Sequence, residues 1–235
     1  MVFRSAEIAD RYAGAGQFVS VLANDHWQHP IRRPMSIADV NGEEIAIIYK
    51  IFGPVTQKLR QLKSKANINV FGPLGNTYEV DFNSYYPILV GGGIGLSPIL
   101  NLSKILKKKR IPNTIIIGAK TFKEHFLEHD PDNNIYLCTD DGSQGITGTV
   151  VDALETVLKD IEDPKIFACG PEPMLFSIQN MLKENSIPAQ FSVESYMACG
   201  VGICQGCAIP NSNDKGYHLV CTDGPVFEAN EVKFD

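Results

Sequence analysis

The chain has 235 residues, 44% of them apolar, which is enough to build real cores and comfortable for two domains. A formal net charge of −6 excludes a general nucleic-acid surface, which calls for a basic face, and no apolar run approaches the length of a membrane span. The chain also opens without the charged and apolar regions of a secretory leader, so a cytoplasmic protein that engages neither nucleic acid nor membrane is expected.

Residues 2 to about 82 read as short strands. The runs 18–21 and 45–51 are β-branched and aromatic, and each is bounded by Gly, Pro, Asn or Asp. Asn41 and Gly42 make a good hairpin turn between strand-like segments. Short strands with frequent turns predict a small antiparallel barrel, interrupted by a helix over 55–65 with Leu59 and Leu62 on one face. Arg33, Pro34, Met35 and Ser36 place a guanidinium and a hydroxyl three apart on a strand. Such a pair can bind a diphosphate, because the planar guanidinium fork matches phosphate oxygens; read alone, it is as well explained by a surface turn. GPLG at 72–75 reads as a rigid turn after a strand over 68–71.

From residue 87 the pattern becomes strand, glycine turn, helix. The strand 88–90 runs into GGGIGLSP at 91–98, and apolar residues then recur at helical spacing through Leu106. This is the turn of a nucleotide-binding fold, where glycines let phosphates approach the N–H groups of a helix N-terminus. Gly91 and Gly93 match the first two positions of the dinucleotide fingerprint, but Leu96 stands where its third glycine belongs. No acidic residue follows the next strand, 114–120, so NAD and NADP are not distinguished here. The basic run from Lys104 to Arg110 reads as the solvated end of a helix. Further strands at 135–139 and 165–168 empty into DDGS at 140–143 and CGPEPM at 169–174, each followed by a helix, over 150–158 and 175–182. The alternation implies a parallel sheet with ligands at the carboxyl ends of its strands, where Gly93, Asp140, Asp141, Cys169 and Gly170 fall. Cys138 reads as a buried small hydrophobe. Cys169 sits at the ligand edge but has no base beside it in sequence, so no nucleophilic chemistry is assigned to it, and the five histidines form no ligand pattern.

The tail carries the sharpest signal. Between Cys199, Cys204, Cys207 and Cys221 lie four, two and thirteen residues, the spacing by which plant-type ferredoxins hold a [2Fe–2S] cluster. Gly200, Gly202 and Gly206 let such a loop bring N–H groups close to the sulfurs. A structural zinc more usually sits between two short cysteine pairs, and a redox pair formed by Cys204 and Cys207 leaves Cys199 and Cys221 unused.

In this order, RPMS at 33–36, GPLG, GGGIGLSP, CGPEPM and the cysteine tail resemble the ferredoxin-NADP reductase superfamily over nearly the whole chain. The cluster segment most closely resembles the electron-transfer subunits of class 1B dihydroorotate dehydrogenases, as do DDGS at 140–143 and ESYMACG at 194–200. The resemblance implies an antiparallel FAD-binding β-barrel over 1–84, an NAD-binding α/β domain over 85–190 and a [2Fe–2S] module over 191–235. It implies that Arg33 meets the FAD pyrophosphate and Ser36 the flavin, with Pro34 and Met35 shaping that wall. Ile48, Tyr49 and Lys50 would form the next FAD-facing strand, and Gly53 and Thr56 would cap the phosphates. Gly92, Gly93 and Gly95 would line the NAD site, with Cys169, Gly170 and Met174 near the nicotinamide; Cys199, Cys204, Cys207 and Cys221 would ligate the cluster. No residue is assigned acid, base or nucleophilic catalysis.

The implied activity is an electron relay from the FMN of a catalytic partner, through the cluster and FAD, to NAD⁺ in pyrimidine biosynthesis, within a heterotetramer. Two alternatives stand beside it: the flavin subunit of a ferredoxin-NADP reductase or sulfide dehydrogenase, in which an aspartate is expected where Cys199 stands, and a nucleotide-sensing zinc or redox module without turnover. Only about fifteen residues precede the Gly16 to Val19 match, so the barrel's first strand is expected to be absent or replaced by a partner.

Overall fold

A computed structural model describes residues 1–22, 30–80, 84–125, 127–213 and 216–234. Val2–Arg4 (β1), Phe18–Leu22 (β2), Arg33–Asn41 (β3), Glu44–Ile47 (β4) and Asn69–Leu74 (β5) form an antiparallel sheet in the order β1-β4-β3-β2-β5. Alternation in β4 sends Ile45 and Ile47 inward, where they meet Val19, Val21, Ile37 and Leu59 in a small core. Two helices, Ala6–Arg11 (α1) and Pro54–Gln61 (α2), lie against this unit and contribute Ile8 and Leu59 to its core.

The second sheet has seven strands: Tyr86–Gly92 (β6), Thr114–Ala119 (β7), Ile135–Thr139 (β8), Ile146–Thr147 (β9), Pro164–Cys169 (β10), Ala189–Ser192 (β11) and, beyond a small hairpin of Ala208–Pro210 (β12) and Tyr217–Leu219 (β13), Val226–Glu228 (β14). Its order is β14-β11-β10-β6-β7-β8-β9, parallel throughout except for β14 against β11. The helices between these strands are Leu96–Lys108 (α3), Val150–Val157 (α4) and Glu172–Asn185 (α5). Both faces of the sheet are buried, as right-handed crossovers require. Ile88, Val90 and Ile116 enter one core, whereas Leu89, Ile115 and Ile117 enter the other. Because β14 pairs Phe227 with Phe191, the cysteine segment is bolted to the central sheet.

One face of α3 joins the two sheets. Ser97, Asn101 and Lys104, spaced four and three apart, share that face. Ser97 Oγ donates to the Ser36 carbonyl (2.9 Å), Asn101 Nδ2 donates to the Ile37 carbonyl (2.9 Å) and to the Tyr12 hydroxyl (2.6 Å), and Lys104 pairs with Asp39 (2.7 Å). Burial raises the Tyr12 phenol to about 12, an effect the Asn101 hydrogen bond opposes and the Asp39 charge adds to. A phenol that ionises later in the folded state than in the unfolded chain stabilises the fold below pH 10 and loses that contribution between about pH 10 and 12. Between denaturant titrations at pH 9 and 11.5, Tyr12→Phe should therefore lose on the order of 1–2 kcal/mol less stability than the unaltered protein, after discounting solvent screening, while the loss carried by other buried groups such as Tyr78 remains. An equal loss in the variant would remove Tyr12 as a cause.

Several expectations change. The strand expected over 45–51 ends at Ile47, because the β3–β4 register stops at Ile37 opposite Ile47 and the chains then part around a cavity. Ile48, Tyr49 and Lys50 are therefore a cavity wall, not a strand. Strand β5 runs through Gly72 and Pro73 rather than ending before them, with Leu74 opposite Phe18 and a register slip between Phe18 and Ser20; the Gly72–Pro73 peptide is cis. Helix α2 stops at Gln61, so Leu62 turns out of the helix and is exposed while Leu59 is buried. Helix α5 begins at Glu172, earlier than its apolar stripe, because Pro173 suits a first helical turn. Lys104 is not merely solvated, since Asp39 lies within reach. Residues 2–4 do form an edge strand against β4, and the Met1 ammonium donates to the Ile47 carbonyl (2.9 Å). His26 and His29 lie outside the described residues.

Candidate functional site

A cavity of about 490 Å³ opens where β3 and the chain after β4 separate. Arg33, Pro34, Met35 and Ser36 form one wall and Ile48, Tyr49 and Lys50 another, so the sequence motif and the lost strand meet across it. Ile94 from the glycine turn and Ser97 from α3 reach in, and Ser192 to Ser195 with Met197 close the far side. Two of these walls are fixed by hydrogen bonds. The Ser36 carbonyl is held by Ser97, and Thr56 Oγ1 accepts the N–H groups of Phe52 (3.0 Å) and Gly53 (3.1 Å) while donating to the Gly53 carbonyl (3.0 Å). Thr56 therefore sets the entry of α2 into the cavity, whereas Gly53 does not line it. The Arg33 guanidinium donates to the Ile31 carbonyl (2.7 Å).

A second cavity, of about 530 Å³, lies at the carboxyl ends of β6, β7 and β8. Gly92, Gly93 and Met174 line it with Lys50, Lys120, Glu124, Asp140 and Thr149. A side chain at Gly93 would meet open space, whereas one at Gly92 would strike Met174 Sδ at 2.5 Å, so the methionine rests directly on the glycine backbone. Gly95 and Gly170 do not line this cavity, and Gly95 packs against the Cys169 carbonyl. Cys169 itself is 1% exposed and reaches neither cavity; burial, the Glu194 charge and a bond with Ser192 act on its thiol, and the net effect is a strong upward push. Burial likewise raises Cys138 to about 12, in keeping with a small core residue.

The cysteine tail forms a tight loop. Cys207 and Cys221 are buried with their sulfurs 3.3 Å apart, Cys199 is half-buried and Cys204 exposed. Backbone N–H groups point at the sulfurs: Val201 and Cys204 donate to Cys199 Sγ (each 3.4 Å) and Gly202 to Cys221 Sγ (3.2 Å). The Gly202 bond requires φ +79°, a conformation that other residues adopt only with strain. The N–H groups of Cys204 and Val201 lower the Cys199 thiol to about 6, while burial and the neighbouring Cys207 raise Cys221 to about 11. No three His, Cys, Asp or Glu groups among the described residues are gathered tightly enough to hold a single metal ion.

Residues 194–233 match the family model for the iron-sulfur cluster binding domain of dihydroorotate dehydrogenase B. Over 228 residues the chain is 36% identical to the dihydroorotate dehydrogenase B (NAD(+)) electron transfer subunit of Fusobacterium nucleatum, covering 94% of this chain and 87% of that one. Identity to the Bacillus pumilus electron transfer subunit is 35% over 233 residues, covering 96% and 89%. The chain belongs to this family of electron transfer subunits. Among solved structures, an NADH-dependent reduced ferredoxin-NADP oxidoreductase superposes with a TM-score of 0.85 at 28% identity, over 100% of this chain and 84% of that one.

The subunit has the ferredoxin-reductase-like fold, an antiparallel half-barrel beside a parallel sheet with the cluster segment at its carboxyl end. Its walls fit the groups that this fold and family imply. A mostly apolar cavity of this size with one guanidinium at its wall suits a flavin dinucleotide. A glycine-floored cavity at the strand ends suits a nicotinamide nucleotide. A cluster with two irons needs two thiolates on each, and the close pair Cys207 and Cys221, with Cys199 and Cys204 linked through the Cys204 N–H, matches that division. Sequence reasoning did not single out Phe52, Ile94, Ser97 or Val193 as cavity walls, since nothing in their local pattern marks them. Lys120, Glu124 and Thr149 were missed in the second cavity for the same reason; Asp140 was at least placed at a strand end.

Proposed function

We propose that this electron transfer subunit carries electrons from the FMN of a dihydroorotate-oxidising catalytic partner to NAD⁺, in the cytoplasm, as part of pyrimidine biosynthesis and within a heterotetramer. One observation carries the relay in this reading. Ser192 to Ser195 and Met197 line the first cavity and Cys199 follows two residues later, so one short segment joins the flavin cavity to the cysteine loop. When bound, FAD exchanges a hydride with the nicotinamide and single electrons with the cluster, which is why a two-electron carrier and a one-electron carrier are needed together.

The chain's own residues bind, orient and exclude water. Arg33 provides the fork for the FAD pyrophosphate, supported by the Thr56-fixed start of α2 with Gly53. Pro34, Met35 and Ser36 orient the flavin from one side and Ile48, Tyr49 and Lys50 from the other. Gly92 and Gly93 let the NAD phosphates approach the start of α3, and Met174 covers the nicotinamide end and keeps water out. Gly95, Cys169 and Gly170 act one layer back: they set the height of that floor. Cys199, Cys204, Cys207 and Cys221 hold the cluster. Tyr196, 94% exposed, and Ile203, 82% exposed, are large apolar side chains beside the cysteine loop, and they form the docking edge for the partner.

The test is an absorption spectrum with iron, sulfide and flavin analysis of anaerobically purified protein, before and after NADH. About two irons, two sulfides and one FAD per chain, with the flavin band bleached by NADH, are expected. Zinc with no flavin would overturn the relay and make the tail a structural clip.

A further inference from the structure

Among the described residues, Lys50 alone lines both cavities. Its ammonium reaches across to the Glu124 carboxylate at 3.6 Å, joining the chain after β4 to the short 3-10 turn Phe122–Glu124 that follows β7. That turn is held firmly. The Phe122 N–H donates to Ser143 Oγ (2.9 Å), which donates in turn to Asp141 Oδ1 (2.6 Å), and the Ser143 N–H reaches the same oxygen (3.0 Å). Glu124 N–H donates to the Thr121 carbonyl (3.0 Å). The DDGS loop thus acquires a role: it pins the turn that presents Glu124 to the nucleotide cavity.

From this geometry we propose that Glu124 is a positioning residue which holds Lys50 while the nucleotide cavity is empty and yields it to a dinucleotide diphosphate on binding. The inference rests on reading the second cavity as the NAD site. A diphosphate entering there meets a carboxylate of like charge in the wall and an ammonium already paired with it. Losing the Glu124 charge frees that ammonium and removes one of the two carboxylates in the wall, leaving Asp140. The pair is 70% exposed at Lys50 and 40% at Glu124, and pairs of that exposure hold weakly, so exchange is easy in both directions. The same tie recaptures Lys50 as the nucleotide leaves, which favours release.

The probe is ADP-ribose, which carries the diphosphate but cannot react, titrated calorimetrically into the protein with its cofactors bound at low ionic strength. Glu124→Gln should bind ADP-ribose about two- to fivefold more tightly than the unaltered protein. Adenosine, which lacks phosphate, should bind both equally, and the ADP-ribose difference should shrink at high salt. Lys50→Met should bind ADP-ribose more weakly, and adding Glu124→Gln to it should give clearly less tightening than Glu124→Gln gives alone. Equal or weaker ADP-ribose binding by Glu124→Gln would overturn the proposal, as would equal tightening with Lys50 absent. If the unaltered protein neither binds ADP-ribose nor is bleached by NADH, the reading of the cavity falls as well; if it does both and Glu124→Gln changes nothing, only the role of Glu124 falls.

Discussion

Replacing Cys207 with serine is expected to strip iron and sulfide from the protein while leaving its flavin in place and its fold largely intact. Cys207 is 2% exposed, its sulfur lies 3.3 Å from that of Cys221, and it packs in the same core as Val220 and Phe227. Serine nearly matches its shape, so packing is little changed, but a hydroxyl does not ionise readily enough to replace a thiolate on iron. The Arg33 to Ser36 and Ile48 to Lys50 walls of the first cavity lie far from Cys207 in the chain, so the flavin keeps those walls. NADH should still bleach the flavin, whereas NADH-dependent reduction of a one-electron acceptor that takes its electrons from the cluster should fall about 100-fold or more. Iron, sulfide and flavin analysis of one preparation reads both halves of this result. Full iron content with normal acceptor reduction would mean that Cys207 is not a ligand. Exposed Cys204 offers a contrast: it is a poor candidate for a packing role, so iron loss in Cys204→Ser reports ligation alone.

That separation follows from how the chain encodes its parts. The cysteine loop is written as spacing, and spacing survives in sequence whatever the surrounding fold does. The glycine turn at 91–95 and the strands around it are also local patterns, and the parallel sheet followed from their alternation. The first cavity was not readable in the same way. Its wall at Ile48 to Lys50 has the composition of a strand, and only the end of the β3–β4 register at Ile37 and Ile47 turns it into a cavity wall. Ser97 and Asn101 look like ordinary helix positions, yet they fasten the parallel sheet to Ser36 and Ile37 of β3, sixty-one and sixty-four residues away. Lys50 and Glu124 meet only because two separate sheets are docked. Tertiary placement carries no local signal of that kind.

Gly95 puts sequence logic and packing in direct opposition. Its φ of −60° and ψ of −9° are helical, so the backbone imposes no need for glycine, and propensity alone predicts that alanine would stabilise this start of α3 by up to about 1 kcal/mol. The structure predicts the reverse sign. A Cβ here would collide with the carbonyl of Cys169 and come within 2.6 Å of the Gly170 nitrogen, and both obstacles are backbone rather than a flexible side-chain end. The Cys169 to Gly170 segment is the carboxyl end of β10, paired with Gly91 of β6 and Ser192 of β11, so it cannot move without disturbing the sheet. Gly95→Ala should therefore cost about 1–3 kcal/mol, lowering Tm by roughly 2–12 °C for a chain of this size. Pro171 and Met174 follow directly from the displaced segment and line the nucleotide cavity, so ADP-ribose binding should weaken about tenfold through misplacement. Iron content should not change, because Gly95 packs against the end of β10 and not against the cysteine loop. A variant with raised Tm and normal ADP-ribose affinity would show that propensity wins at this position and that the β10 loop yields to one methyl group. A lowered Tm with normal affinity would place Gly95 in the core only, with no hold on the nucleotide floor.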